Sequence, residues 1–134
     1  MVGSLTLRSV HYVLVIGAHD VEVRPGQSAL WSVSLMFAGD GLRLDSDGQV
    51  GEDEMHAFAD QIDGLAKGKR TQAQLCTADG SLYIALERRG PRELHGVIRT
   101  RRDPDTGLYS TAETIVLNGQ LAGLSSGARC FPHG

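Results

Sequence analysis

The sequence predicts an α+β fold: an antiparallel β-sheet of about six strands, with one long amphipathic helix packed on a face and a short C-terminal helix. The first observation is the segment from Glu52 to Lys67, where apolar residues recur three and four positions apart, as on one side of a helix. The second is that apolar and polar residues alternate elsewhere, which is the period of strands. A length of 134 residues is typical of one domain, so 1–134 is assigned to a single domain.

Three apolar stretches before the helix are predicted to be strands, and Leu42 and Leu44 begin a further short strand. The first, Val10 to Ile16, is apolar at most positions, which is typical of a strand covered on both faces. The second, Val21 to Val23, is short and ends where Pro25 and Gly26 favour a turn. The third, Leu30 to Ala38, alternates most regularly. Its apolar face consists of Trp31, Val33, Leu35 and Phe37.

The helix has matching start and stop signals. Residues 45–51 form a polar stretch, which we predict to be a loop that leads into the helix. Glu52, Asp53 and Glu54 then occupy the first turn, where carboxylates complement the positive end of the helix dipole. Gly68 follows the last turn and suits the left-handed conformation in which many helices end.

The strands after the helix follow one another with short turns, as in an antiparallel meander. We predict them at 71–76, 82–87, 93–101 and 109–117. The pair Asp79 and Gly80 favours a hairpin, and the longest turn is expected at 103–107. Asn118 is placed to begin the short closing helix, with Leu121 and Leu124 on its apolar side.

The net charge of −3 is divided unevenly along the chain. Residues 1–66 hold 3 basic and 10 acidic residues, a balance of −7, whereas residues 67–134 hold 10 basic and 6 acidic residues, a balance of +4. Two groups of arginines flank adjacent predicted turns and could form a basic cluster. They are Arg88, Arg89 and Arg92, and Arg99, Arg101 and Arg102.

One segment resembles a calcium-binding loop. Asp45, Asp47 and Gly48, followed by Glu54, fit the second half of an EF-hand loop, in which carboxylates bind Ca²⁺ and glycine makes a sharp bend. In that register the first ligand position falls on Arg43, and the preceding segment is predicted to be a strand instead of a helix. A degenerate calcium-binding module is therefore kept only as an alternative.

Signals of catalysis and of cofactor binding are weak. There is no phosphate-binding glycine loop, no serine nucleophile elbow and no zinc spacing, so we predict no cofactor, no resident metal and no enzymatic activity. The enzymatic alternative is a small hydrolase or isomerase that uses His95, Tyr109 and Glu113 in a cleft between helix and sheet. Cys76 and Cys130 lack metal-ligand spacing, and their pairing is left open, with Cys76 expected in the core.

Nucleic acid and membrane are both excluded as partners at this stage. Tyr83 and Tyr109 are the aromatic residues near the later strands, and two such residues are too few for a platform that stacks on bases. No apolar stretch is long enough for a signal peptide or membrane span. An exposed sheet edge would be compatible with a homodimer.

The layout of residues 29–124 resembles a known family. A strand at Leu30 to Phe37 precedes the helix, and the Asp79 and Gly80 hairpin, the strand 82–86 and a last strand ending at Asn118 to Leu121 follow it. This order is similar to that of a family of small bacterial proteins that includes the wall-associated-protein immunity (WapI) type. Where the family often carries Asp before Gln near the end, this chain has Gly119.

The resemblance implies a function in protein binding. Members of that family are small, cytosolic and non-enzymatic, and the immunity proteins among them bind and block a cognate toxin. A cytoplasmic protein whose partner is a toxin domain is therefore expected, with an acidic surface facing a basic partner. The candidate partner-binding residues are Asp45, Asp47, Glu52, Asp53 and Glu54.

Overall fold

The computed structural model of the protein describes residues 3–103, 105 and 107–132. It confirms the α+β class, but the strands form two four-stranded antiparallel sheets instead of one sheet of about six strands. In each sheet every strand pairs with the next along the chain. The first sheet comprises β1 (Gly3–Arg8), β2 (Tyr12–Glu22), β3 (Leu30–Gly39) and β4 (Leu42–Gly51). The second comprises β5 (Gln72–Cys76), β6 (Leu82–Arg88), β7 (Glu93–Asp103) and β8 (Leu108–Leu117).

Two helices complete the fold. Helix α1 (Glu52–Ala66) connects the two sheets, and helix α2 (Leu121–Cys130) follows β8 after a short 3₁₀ turn at Asn118–Gln120. The predicted closing helix is therefore confirmed. The predicted turn at 103–107 falls partly outside the described residues, at positions 104 and 106.

The first sheet corrects three predictions about its strands. Strand β1 was not predicted, although Leu5 and Leu7 alternate with polar neighbours and pair with Ile16 and Leu14. Strand β2 runs continuously to Glu22, because a bulge between residues 18 and 20 joins the two separately predicted segments. Residues 45–51 are the second half of β4, not a loop. An edge strand exposed on one face accepts polar residues at alternate positions, which explains its polar sequence.

Helix α1 buries the face that its spacing predicted. Met55, Phe58, Ala59, Ile62 and Leu65 are all inaccessible to solvent. The Gly51 amide donates a hydrogen bond of 2.7 Å to Glu54 Oε1, so this carboxylate closes the first turn. Gly68 has a φ of +74°, as expected for the residue that ends the helix.

Both sheets and both helices contribute to one hydrophobic core. The face of β3 predicted to be apolar is buried there, as are alternate residues of β1, β2, β6 and β7. In the second sheet the inward residues of β6 are Leu82, Ile84 and Leu86, so residues 83, 85 and 87 lie on the opposite face. That outward face of the second sheet has no other element of the described chain packed over its centre.

Helix α2 is attached to α1 by polar contacts as well as by the core. The Ser125 hydroxyl donates hydrogen bonds to Asp63 Oδ1 and, at 3.4 Å, to the Ala59 carbonyl. Arg129 Nη2 lies 2.6 Å from Asp63 Oδ2 and 3.0 Å from Asp60 Oδ1. The hydrogen bond from Ser125, followed by that from Arg129, lowers the pKa of Asp63 below its ordinary value.

The two sheets also meet where β4 contacts the turn between β5 and β6. Asp79 in that turn accepts hydrogen bonds from the Gln49 amide of β4 at 3.0 Å and from the Ser81 hydroxyl at 2.7 Å. Arg101 Nη1 donates to the Asp79 carbonyl at 2.7 Å. Burial raises the pKa of the Asp79 carboxyl group. The hydrogen bonds that the carboxylate accepts from Ser81, Thr77 and Gln49 together outweigh burial and hold this pKa below its ordinary value. Close approach requires Gly48, since a Cβ there would lie 2.1 Å from Ser81 Oγ.

The two cysteines are exposed and unpaired. Cys76 was expected in the core, but it occupies an outward position on β5, between the buried Leu75 and Thr77. No helix in the described part of the chain is both long and apolar enough to cross a membrane.

Candidate functional site

The outward face of the second sheet carries an aromatic and cationic cluster. Tyr83 of β6 is the register partner of Arg99 of β7, and Tyr109 of β8 is the register partner of Arg101. Register partners in antiparallel strands project to the same side of a sheet, and long side chains reach the diagonal neighbour. Tyr83, Arg99 and Tyr109 are therefore neighbours on this face, which is turned away from the core.

Arg99 lies between the two tyrosine rings. Its Cζ atom is 4.9 Å from the centre of the Tyr83 ring and 5.3 Å from the centre of the Tyr109 ring. Both distances are within the range of cation–π contacts. Arg99 is exposed, and Tyr109 is 45% exposed. We call this arrangement the Tyr83–Arg99–Tyr109 platform.

A small depression adjoins the platform on the side of β5. Its floor is Ala85, whose short side chain leaves space between Tyr83 and Glu87 on β6. Gln74 and Gln72 of β5 are the register partners of Ala85 and Glu87 and form its outer wall. The cavity volume is about 180 Å³. We call this depression the amide pocket; Gln61 and Arg70 also line it.

The predicted basic cluster does not form, because its arginines have separate surroundings. Arg88 is used within the fold: Nη2 donates to the Leu65 carbonyl at 3.1 Å and to Asn118 Oδ1 at 2.8 Å. Arg101 binds Asp79, with its side chain 20% exposed. Arg99 belongs to the platform, while Arg92 and Arg102 are exposed. The six arginines therefore do not form one group: Arg99 is on the platform, Arg92 is next to the end of β8, and Arg102 lines the cleft beside β4.

A wider cleft lies between the outer part of β4 and β7. Its cavity volume is about 670 Å³, and both signs of charge line it. Asp45 and Asp47 stand on the β4 side, and Arg101 and Arg102 on the β7 side. Because charges of both signs line a broad opening, the cleft does not favour a ligand of either charge. It is therefore a weaker candidate than the platform.

The five predicted partner-binding acids fall into two places. Asp45 and Asp47 are exposed on β4, where Arg43 Nε lies 3.2 Å from Asp45 Oδ2. Glu52, Asp53 and Glu54 lie in the first turn of α1. There the Asp53 carboxylate accepts a 2.9 Å hydrogen bond from the Glu54 amide, and Glu54 binds the Gly51 amide. Local helix capping thus accounts for two of the acids, and the five do not form one surface cluster.

The calcium-loop alternative is wrong. Calcium binding would need a loop that wraps around the cation between Asp45 and Glu54. The chain is instead an extended strand that stays paired with β3 as far as Gly51. Extended backbone sends Asp45 and Asp47 outward on β4, whereas the Glu54 carboxylate binds backbone at the start of α1. Among the described residues, no group of three or more His, Cys, Asp or Glu could hold a metal ion.

The enzymatic alternative is wrong in its location. His95 Nε2 lies 3.6 Å from Glu113 Oε1, so these two residues do meet. They lie on the outward face of β7 and β8, together with Tyr109, and not between helix and sheet. A half-exposed pair on an open surface does not provide the enclosed cleft on which the prediction rested.

Comparisons with known proteins found one structural likeness. No family model and no curated protein matches the chain. Among solved structures, the fold is similar to the crystal structure of WHY3 from Arabidopsis thaliana, with 12% sequence identity and a TM-score of 0.48. The match covers 97% of this chain and 86% of that chain.

Two predictions are corrected at this point. The toxin-occluding immunity function is wrong: the five acids assigned to a toxin lie on two elements, Asp45 and Asp47 on β4 and the other three in the first turn of α1. The partner prediction, a protein partner with nucleic acid excluded, is corrected as well. Its argument was that two tyrosines are too few for stacking, but the fold places Arg99 between them. The resemblance to the WapI-type family remains a prediction.

Sequence reasoning noted the platform residues but did not combine them. Tyr83, Arg99 and Tyr109 all occupy outward positions of their strands, which the alternation of buried Leu82, Ile84 and Ile98 would have shown. What sequence could not show was the register, because a shift of one residue between β7 and β8 would turn Tyr109 to the other face.

Proposed function

We propose that this protein binds single-stranded nucleic acid on the outward face of its second sheet. The observation that carries the proposal is the Tyr83–Arg99–Tyr109 platform, in which a partly buried ring and an exposed ring flank one exposed guanidinium. Bases stack on aromatic rings and on the planar guanidinium of arginine, and each base has a face suited to such stacking. In this proposal the protein acts by binding and not by catalysis.

A single strand suits the platform better than a duplex. The bases of a duplex are stacked on one another and present only their edges, whereas those of a single strand can turn toward a protein surface. The platform lies on the open face of β6, β7 and β8. An open sheet face of this kind can take successive bases of an extended strand.

The charge of the surroundings supports the same ligand. The second half of the sequence, which builds the second sheet, has a balance of +4 although the whole chain has a net charge of −3. Arg99 on the platform and Arg70 beside it are exposed and can contact phosphates. The acidic first half would repel a nucleic acid, so a strand should follow the second sheet only.

The test is a fluorescence anisotropy titration with labelled single-stranded DNA, single-stranded RNA and duplex DNA at fixed salt. We expect single strands to bind and the duplex to bind more weakly. The Tyr83→Ala and Tyr109→Ala variants should each weaken single-strand binding by about tenfold, because stacking contributes about 1–3 kcal/mol per base.

Arg43→Ala is the control for truncating an exposed side chain outside the platform. Arg43 is exposed on β4 of the other sheet, where it contacts Asp45, so its removal should leave the affinity unchanged. The far-ultraviolet circular dichroism of each variant checks its fold. Absence of single-strand binding by the wild type, or equal affinity in wild type and both tyrosine variants, would contradict the proposal.

A further inference from the structure

The amide pocket beside the platform offers hydrogen-bonding groups where a stacked base would present its edge. Gln72, Gln74 and Glu87 line the pocket above the Ala85 floor, and Tyr83 is shared between pocket and platform. The Tyr83 hydroxyl oxygen lies 3.5 Å from Gln74 Oε1, so the two sites are directly connected. A base that rests against the Tyr83 ring therefore has polar side chains at its edge.

The groups of the pocket favour one pattern of base edge. An ionised glutamate only accepts hydrogen bonds, while a glutamine side chain both donates and accepts. Glu87 stands beside Gln72, its register partner, and Arg89 Nη1 lies 3.8 Å from Glu87 Oε1. An exocyclic amino group could donate to the other Glu87 oxygen while the neighbouring ring nitrogen accepts from a glutamine amide. Acidic side chains are known to accept from the amino group of cytosine, and glutamine is known to bind adenine through both groups. A carbonyl oxygen at the same position has no hydrogen to donate, so it would face the Glu87 carboxylate as a second acceptor.

The walls are held by contacts inside the fold. The side-chain oxygen Oε1 of Gln61 on α1 accepts a 2.9 Å hydrogen bond from the backbone N–H of Gln74 at the free edge of β5. Arg70 Nε donates to the backbone carbonyl of Gln72 at 2.9 Å, which places the Arg70 guanidinium at the rim. The backbone of Gln72 and Gln74 is thus held at the free edge of β5 as well as by its pairing with β6, and the rim carries a positive charge suited to the phosphate of the bound nucleotide.

We infer that the amide pocket holds one base of the bound strand and selects bases with an exocyclic amino group, cytosine or adenine, over uracil or thymine. This inference rests on the proposed function, since the base must be delivered by a strand on the platform. Selectivity would arise in part by rejection, because an oxo group placed against Glu87 leaves two acceptors facing each other.

The experiment compares oligodeoxycytidine with oligodeoxyuridine of equal length, whose bases differ only in the amino or oxo group at C4 and the adjacent ring nitrogen. Anisotropy titrations should give an affinity for the cytidine strand that is about fivefold higher or more. Glu87→Gln should bring the ratio of the two affinities close to one, since a carboxamide can donate to the oxo group as well as accept from the amino group.

Glu22→Gln is the matched control. It makes the same change of charge at an exposed strand position of the first sheet, so the cytidine preference should persist. Equal affinity of the wild type for the two strands, or a preference that Glu87→Gln leaves unchanged, would overturn the inference while the platform still binds. Failure of both strands to bind would overturn the proposed function and the inference with it.

Discussion

Arg99 and Arg101 stand two positions apart on β7 and have different roles. Arg99 is exposed between two tyrosine rings, where a cation–π contact stabilises the fold by only about 0.5–1 kcal/mol. Arg101 is largely buried and donates to the Asp79 carbonyl, while its Nη2 lies 3.6 Å from Asp79 Oδ2. Of these two arginines, Arg101 is thus part of the folded structure, whereas Arg99 is available for the proposed binding, according to what surrounds each guanidinium.

Asp79 should make stability depend on pH in acid. Its pKa is lowered in the folded state, so the unfolded state binds its proton more readily, and the contribution of Asp79 is fully present above its ordinary pKa of about 3.9. That contribution is lost as the pH falls through the folded-state pKa. We expect Asp79→Asn to lower the free energy of unfolding by about 1–3 kcal/mol at pH 7, because weaker acceptors then face Gln49 and Ser81.

Urea denaturation of wild type and Asp79→Asn from pH 7 into the acid range measures this difference. The gap between the two proteins should narrow below pH about 4. Asp45→Asn serves as the control, since Asp45 is exposed on β4, where its carboxylate is paired with Arg43. A gap that stays constant over the whole range would show that the charge of Asp79 does not matter.

At the scale of elements, the contact between α1 and α2 combines a buried and an exposed polar group. Ser125 is 5% exposed and donates to Asp63 and to the Ala59 carbonyl. Arg129 reaches Asp60 and Asp63 from the solvent side. Exposed ion pairs contribute little because water and salt screen them, whereas a hydrogen bond from a buried hydroxyl to a carboxylate is screened less and contributes more.

Ser125→Ala is therefore expected to destabilise the protein more than Arg129→Ala does. The loss should be about 1 kcal/mol or somewhat more for Ser125→Ala and below about 1 kcal/mol for Arg129→Ala. Urea denaturation measures both values. Ser126→Ala is the adjacent control, because Ser126 is exposed on the same helix and should change stability little. The reverse order would mean that the ion pairs dominate the contact.

The whole molecule depends on one core that both sheets share through α1. Phe58 is fully buried in that core, together with side chains from each sheet. Truncating Phe58 would leave a cavity and remove packing contacts with both sheets at once. The same layout keeps the proposed binding surface apart from the core. The platform and the amide pocket lie on the outward face of the second sheet.

Phe58→Ala should lower the free energy of unfolding by about 3–5 kcal/mol, the cost typical of truncating a buried aromatic side chain. Fluorescence of Trp31 reports on the first sheet, and far-ultraviolet circular dichroism reports on the whole chain. If the two sheets unfold together, both transitions should coincide in wild type and in the variant. Separate transitions would indicate that the sheets unfold independently and would contradict the shared core.

The sequence by itself determined the elements whose signal is local. The spacing of Met55, Phe58 and Ile62 defined the buried face of α1, and strict alternation did the same for β3, because each pattern reflects the repeat of its own backbone. Polar edge strands give a weaker local signal, which is why the second half of β4 was taken for a loop and β1 was missed.

Only the tertiary structure decided how the strands divide into two sheets and which outward residues meet. Strand pairing and register depend on contacts between residues far apart in sequence, so the approach of Arg99 to Tyr109 and of Gln74 to Tyr83 has no local signature. The alternation of each strand could place these side chains on a face. Their assembly into a platform with an adjoining pocket is a property of the folded sheet.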